Sequence, residues 1–355
     1  VLTLLVRKYF GRGVQQFIAN RRNHFGAVGI RPDSAEWRDQ WQYLNSVPDG
    51  KWMAGDFREF FATHPANVVY FILYQLTKWY DPEVTLETWR ARQPQRFALA
   101  QEIVHAMHVI GNVLYVTDHG HPSGSALTTL INTMATEIYL RLCFVQCVKP
   151  EHLGIQGPVT IVDYRQHTRN KAFGDDHNTR VSAQVAPYFN QKVFAEWCKH
   201  LNLEYTDAYK NADPEPFTSD ADLVFLKRPY AVRENGWVDA PMDMQVLKEM
   251  VLWVSGPEGD PRRTWQNIEA SLEMACEHPR EVFDAWKQRL GAAMAQKGWR
   301  FGYEVRDVHY DVVRNKRPGY LHAQSGADEL ATVAIETQHV PGARVHTSTL
   351  SGNVG

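Results

Sequence analysis

Two adjacent carboxylates in a glycine-led turn, Gly174-Asp175-Asp176, constrain this chain more than any other stretch of it. A short strand is expected to end at Phe173, so the tripeptide would form the turn out of it. Acids placed there can reach one pair of divalent cations, which is what two-metal nucleotidyl transfer needs. By itself the tripeptide is weak, because average Gly and Asp usage produces one by accident in roughly one chain in twenty of this length. Alone it reads as a solvated acidic turn.

A second pattern changes the weighing. Ser123 and Gly124 are followed by Thr128 and Asn132, about 50 residues before the acidic turn. This spacing sets a Ser-Gly loop at a helix start and stacks a hydroxyl and an amide one turn apart on one face. Such a face can hydrogen-bond a ribose while the loop shifts with a template. The bland alternative is a helix with Ser near its N-cap and two indifferent polar residues.

The remaining periodicities outline the elements. Ser34 and Glu36 form a capping signal for a helix through Trp37, Trp41 and Leu44. Trp52 to Gly55 reads as a buried strand delivering Asp56 at its end. Helices are expected over 67–80 and 101–112, and a strand over 113–116. A long helix should carry Leu127, Ile131, Met134, Ile138 and Leu142 on one stripe. The spacing predicts strands over 159–162 and 223–226, and a helix from Pro187 through Val193, Trp197 and Leu201. After Pro241 the pattern is helical, and beyond Ala331 periodicity is lost and a tail is expected.

Composition bounds the rest. A chain of 355 residues can bury a large core in two or three lobes, and 44% hydrophobic with 22% charged residues is ordinary for a globular protein. A net charge of −2 lacks the basic excess of most nucleic-acid binders, so a basic channel would need local concentration of Lys and Arg. Cys143, Cys147, Cys198 and Cys276 suggest no disulfide framework, which fits a reducing compartment. No apolar run approaches the roughly 20 residues that span a bilayer. His105 and His108 lack a completing ligand, and Trp37, Trp41 and Trp52 read as core before they read as a base-stacking platform.

Taken together, these blocks resemble the polymerases of positive-strand RNA viruses, of the picorna-like group and nearest its iflavirus-like members. From the start to about residue 300 they follow in order: Val6-Arg7-Lys8-Tyr9-Phe10, Ala54-Gly55-Asp56-Phe57, Gly120 to Gly124 with Thr128 and Asn132, Phe173-Gly174-Asp175-Asp176, Tyr205 to Lys210, and Phe225-Leu226-Lys227-Arg228. The resemblance implies an α+β right-hand fold with an antiparallel palm sheet, partial fingers and a helical thumb. Its parts would be partial fingers over 1–50, palm over 51–66, a fingers insertion over 67–112, palm over 113–230, thumb over 231–330 and tail over 331–355. It implies RNA-directed RNA synthesis, with Asp56, Asp175 and Asp176 holding two Mg²⁺ (or Mn²⁺) and Lys210 as general acid. Ser123, Gly124, Thr128 and Asn132 would meet template and ribose, and Lys227 and Arg228 the primer strand. Implied partners are RNA template and primer, ribonucleoside triphosphates and a genome-linked protein primer, at membrane-associated replication complexes in the host cytoplasm.

The sequence departs from the family at several points. Phe61 stands where many relatives carry a second Asp that reads the ribose 2′-OH, His177 where Asn is frequent, and the strand before Gly174 is polar where relatives are apolar. The triphosphate-binding basic segment and the fingertips would lie upstream of Val1, so the chain alone is expected to polymerise poorly or not at all. Two other readings stay open here: a catalytically silent polymerase-like RNA-binding scaffold, and a reverse transcriptase, which the turn glycine and the Ser-Gly helix pattern disfavour.

Overall fold

The computed structural model describes residues 1–117, 119–121, 124–207, 211, 213–253 and 260–317. The chain opens with α1 (Leu2–Ala19), α2 (Ala35–Leu44) and β1 (Lys51–Phe57). Then come α3 (Phe60–Thr63), α4 (Ala66–Tyr80), α5 (Trp89–Arg92), α6 (Pro94–Val104) and the hairpin β2 (Met107–Ile110) and β3 (Val113–Val116). The long α7 (Thr128–Cys147) leads through α8 (Pro150–Leu153) and α9 (Ile161–His167) to β4 (Thr168–Phe173) and β5 (Asp176–Val181). After α10 (Gln191–Lys199) and β6 (Tyr205–Asp207) come four two-residue strands: β7 (Val224–Phe225), β8 (Arg228–Pro229), β9 (Ala231–Val232) and β10 (Val238–Asp239). The last elements are α11 (Met244–Leu252), α12 (Arg262–Ala275), α13 (Arg280–Ala295) and α14 (Tyr310–Asn315).

At the centre lies a four-stranded sheet in the order β4-β5-β1-β6, antiparallel throughout. Its register sets Gly55 between His177 on one side and Asp207 on the other. Helices α4, α6, α7 and α10 share one large core with this sheet, in which Met53, Ile72, Ile131, Tyr139, Phe144 and Phe194 are buried. A second core belongs to the C-terminal helices, where Leu272, Phe283, Trp286, Leu290 and Met294 pack together. The architecture is the α+β arrangement expected from the sequence. Trp37 and Trp52 are core residues, and Trp41 stacks on Trp52 with ring centroids 5.6 Å apart.

Four local expectations are corrected. The helix expected over 101–112 ends at Val104, and Met107 to Val116 form a hairpin whose β-branched side chains stand largely exposed. Tight alternation there lost to a helical reading because both faces of the ribbon are apolar. The strand expected over 159–162 is the start of α9: Thr160 accepts from Val162 N–H while Asp163 accepts from Thr160 N–H, a reciprocal cap that outweighs the β-branched run. The helix expected from Pro187 starts at Gln191, where the Asn190 side chain accepts from Val193 N–H. The strand expected over 223–226 is the first arm of the β7–β8 hairpin, turned by Leu226 and Lys227 at φ of 52° and 59°.

Polar β4 has a physical account. Asn170 Nδ2 donates to Glu137 Oε2 at 2.7 Å and its Oδ1 accepts from Thr179 at 2.9 Å. Lys171 Nζ donates to the carbonyls of Arg21 and His24, each at 2.7 Å, which ties the segment after α1 to the sheet. The strand is polar because it packs on polar partners, with each buried group met.

Candidate active site

Asp56 leaves the sheet at the end of β1, and the Gly174-Asp175-Asp176 turn joins β4 to β5 beside it. The turn is clamped by α7: Gly174 N–H donates to Thr133 Oγ1 and Thr136 Oγ1 donates to the Gly174 carbonyl, both at 2.8 Å. Gly174 takes φ of 67°, a conformation glycine adopts without strain. Thr133 and Thr136 were not singled out from the sequence. Two threonines three apart in a buried apolar helix were the available signal.

On β1, Gly55 has a steric reason to lack a side chain. A Cβ there would stand 2.3 Å from the Tyr205 hydroxyl oxygen and 2.5 Å from the Thr206 carbonyl oxygen. Strand β6 therefore lies against Gly55 and fixes the level at which Asp56 emerges. His177 Nε2 and the Tyr205 hydroxyl are 3.1 Å apart on the same sheet face.

The carboxyls of Asp56 and Asp175 come within hydrogen-bonding reach of each other. Burial, and then the Asp56 charge, push the Asp175 carboxyl up to about 6. Two acids this close, both oxygen donors, suit a hard divalent cation, whose charge would offset their repulsion. Asp176 Oδ2 accepts from Leu226 N–H at 2.6 Å, and the charges of Asp175 and Asp56 both act on its carboxyl. Burial, offset by that hydrogen bond, raises its carboxyl to about 7. Among the described residues, no group of three or more His, Cys, Asp or Glu side chains is placed to hold a metal ion.

The other expected site residues fall as follows. Gly124 is exposed at φ of 83°, Thr128 begins α7, and Asn132 lies one turn further, buried against the acidic turn. Lys227 is exposed at the tip of the β7–β8 hairpin, whereas Arg228 donates to the Ala240 carbonyl at 2.5 Å and so anchors that hairpin. Ser123 and Lys210 lie outside the described residues, as does the expected tail. His108 stacks on Tyr115 across the β2–β3 hairpin, and the sulfurs of Cys143 and Cys147 approach to 3.8 Å within α7.

Comparison with known proteins settles the family. The residue pattern of the family described as viral RNA-dependent RNA polymerase matches residues 1–295. The chain belongs to that family. Its relatives include the genome polyprotein of Rice tungro spherical virus (strain Vt6), 30% identical over 298 residues that make up 82% of this chain and 8% of the polyprotein. The replicase polyprotein of Acute bee paralysis virus (strain Rothamsted) is 25% identical over 297 residues, 82% of this chain and 15% of that polyprotein. The chain thus spans a small part of the curated relatives it matches. Among solved structures, a Sicinivirus 3Dpol RNA dependent RNA polymerase is similar with a TM-score of 0.61 at 20% identity, over 84% of this chain and 56% of that one. That likeness shows the right-hand polymerase fold. Among the described residues no helix is long and apolar enough to cross a membrane.

Proposed function

We propose that this chain is the catalytic part of an RNA-directed RNA polymerase, which adds ribonucleotides to an RNA 3′-OH on an RNA template during viral genome replication. The observation that carries the reading is the approach of Asp175, in the turn between β4 and β5, to Asp56 near the end of β1. Divalent metal, two Mg²⁺ or Mn²⁺ when bound, would activate the primer hydroxyl and steady the triphosphate leaving group. Asp56 and Asp175 would supply its carboxylate oxygens. Asp176 would assist from the side, holding the turn against Leu226. Lys210 is assigned the role of general acid toward pyrophosphate. Gly124 and Ser123 would give the loop its freedom beside the template, with Thr128 and Asn132 facing the sugar. Lys227, exposed at a hairpin tip, is suited to a phosphate of the primer strand, with Arg228 holding the hairpin that presents it.

Residues 1–50 and 67–112 would then be fingers, 51–66 and 113–230 palm, and 231–330 thumb. The setting would be membrane-associated replication complexes in the host cytoplasm, with a genome-linked protein as primer. Two measurements test the reading: Mn²⁺ titration, and extension of an annealed RNA primer with ribonucleoside triphosphates. We expect Mn²⁺ binding and at most slow, template-dependent extension, with Mn²⁺ binding and any extension lost in Asp56→Asn and in Asp175→Asn. Mn²⁺ affinity equal to wild type in both variants would refute the site and favour a silent RNA-binding scaffold. Preference for deoxynucleotides would favour a reverse transcriptase.

A further inference from the structure

Position 61 offers the sugar side of the site no oxygen: it is a phenylalanine, 40% exposed. Three residues on, His64 is fully buried and hydrogen-bonded through both ring nitrogens. Its Nε2 lies 3.1 Å from Asn132 Oδ1, and its Nδ1 lies 3.0 Å from the Tyr139 hydroxyl. An amide oxygen only accepts, so Nε2 carries the proton and donates. Nδ1 is then bare and accepts from the Tyr139 O–H. The relay has one direction, from Tyr139 through His64 to Asn132.

The ring has no freedom to turn. His121 stacks on it at 5.5 Å and Phe60 meets it edge-on at 4.1 Å. Its backbone carbonyl accepts from Gly120 N–H at 2.7 Å, while the Phe61 carbonyl accepts from His121 N–H at 2.9 Å. Segment 61–64 and loop 119–121 are thereby stapled together around the imidazole. Burial holds the ring neutral, with its pKa lowered to about 3, so a single N–H is present at neutral pH.

Holding Asn132 Oδ1 fixes the other end of the amide. The two hydrogens on Nδ2 then point away from His64. Asn132 also borders the acidic turn: its Cβ lies 4.0 Å from where a Cβ on Gly174 would stand. On the polymerase reading, a nucleotide reacting beside Asp175 would bring its sugar hydroxyls to this flank, which Asn132 borders. An N–H pair fixed there meets a 2′-hydroxyl as acceptor, whereas a 2′-deoxy sugar leaves the donors unmatched.

We propose that His64 is a positioning residue which orients the Asn132 amide and thereby gives the site its preference for ribose over 2′-deoxyribose. The inference rests on the polymerase reading above. It assigns sugar selection to a histidine–tyrosine relay in a chain with no carboxylate at position 61.

The test measures binding of GTP and 2′-dGTP by isothermal titration, with KM and kcat for single-nucleotide primer extension as the second readout. Wild type should prefer GTP. His64→Leu should lower that preference about tenfold, through a higher KM for GTP rather than a lower kcat. His64→Gln, whose amide can donate to Asn132 Oδ1, should retain most of it. Tyr139→Phe, which keeps the ring packing but frees Nδ1, should lose a few-fold. A folded His64→Leu with wild-type preference, or a Gln variant as poor as the Leu variant, overturns the proposal. Should His64→Leu fail to fold, Tyr139→Phe decides, and an undiminished preference in it overturns the proposal equally. A wild-type chain that binds neither Mn²⁺ nor either nucleotide overturns the polymerase reading itself, and this inference with it.

Discussion

Asp176 Oδ2 accepts the backbone N–H of Leu226 at 2.6 Å, joining the acidic turn to the hairpin that presents Lys227. The second acid of the turn is thus a strut between two parts of the site. Asp176→Ala would strand the Leu226 N–H and is expected to cost about 1–3 kcal/mol of stability. Asp176→Asn keeps an acceptor oxygen and should cost less than half of that. Urea unfolding of both variants checks the order, and primer-binding affinity should fall in the same sequence.

Gly55 has no room for a side chain between β1 and β6. Gly55→Ala would drive a methyl into both the Tyr205 ring and the Thr206 carbonyl. We expect a loss of about 1–3 kcal/mol, as for overpacked interiors, together with loss of Mn²⁺ binding as Asp56 is displaced. Tyr205→Phe should not rescue it, because the ring carbon and the Thr206 carbonyl stay in place. Full rescue would show that only the hydroxyl matters.

His64 gives the stability a pH dependence of known sign. Its folded pKa of about 3 lies below its ordinary 6.5, first through burial and then through His121. As pH falls below about 6.5, the unfolded chain takes up a proton that the folded chain refuses. Stability therefore drops from this group by up to about 1.4 kcal/mol per pH unit, down to the folded pKa. Between pH 6.5 and 5, His64→Gln should lose about 1.5 kcal/mol less than wild type in urea unfolding. Parallel losses in the two proteins would contradict a neutral buried ring.

Asp239, at the end of β10, joins that strand to α14. Fully buried, it lies 3.0 Å from Arg314 and 3.5 Å from Arg317, both almost fully buried, and Arg317 also pairs with Glu277 at 2.8 Å. Asp239 also pairs with Arg233, so Asp239→Ala leaves three guanidiniums without that counter-charge and is expected to cost about 3–5 kcal/mol. Limited proteolysis should then cut near α14 before any other described segment.

Much of the site was legible because it is written locally. Gly174-Asp175-Asp176 is a turn by composition, the Thr128 and Asn132 spacing is a helix face, and Ser34 is a cap whatever surrounds it. Where local signals competed, the structure went to the one with hydrogen bonds to offer. The reciprocal Thr160–Asp163 cap made a helix of a β-branched run, and Asn190 rather than Pro187 began α10. The apolar ribbon 107–116 carried no period that tells a helix from a two-faced strand.

By itself the sequence determined the family, the order of its blocks and the identity of the acids, since these are properties of residue type and spacing. Only the tertiary structure decided which groups meet. Asp56 reaches Asp175, Asp176 holds the Leu226 N–H, Arg228 donates to the Ala240 carbonyl, and His64 faces Asn132 across 68 residues of chain. The physical reason is that sheet register and helix packing set such distances, and no local stretch of chain encodes them.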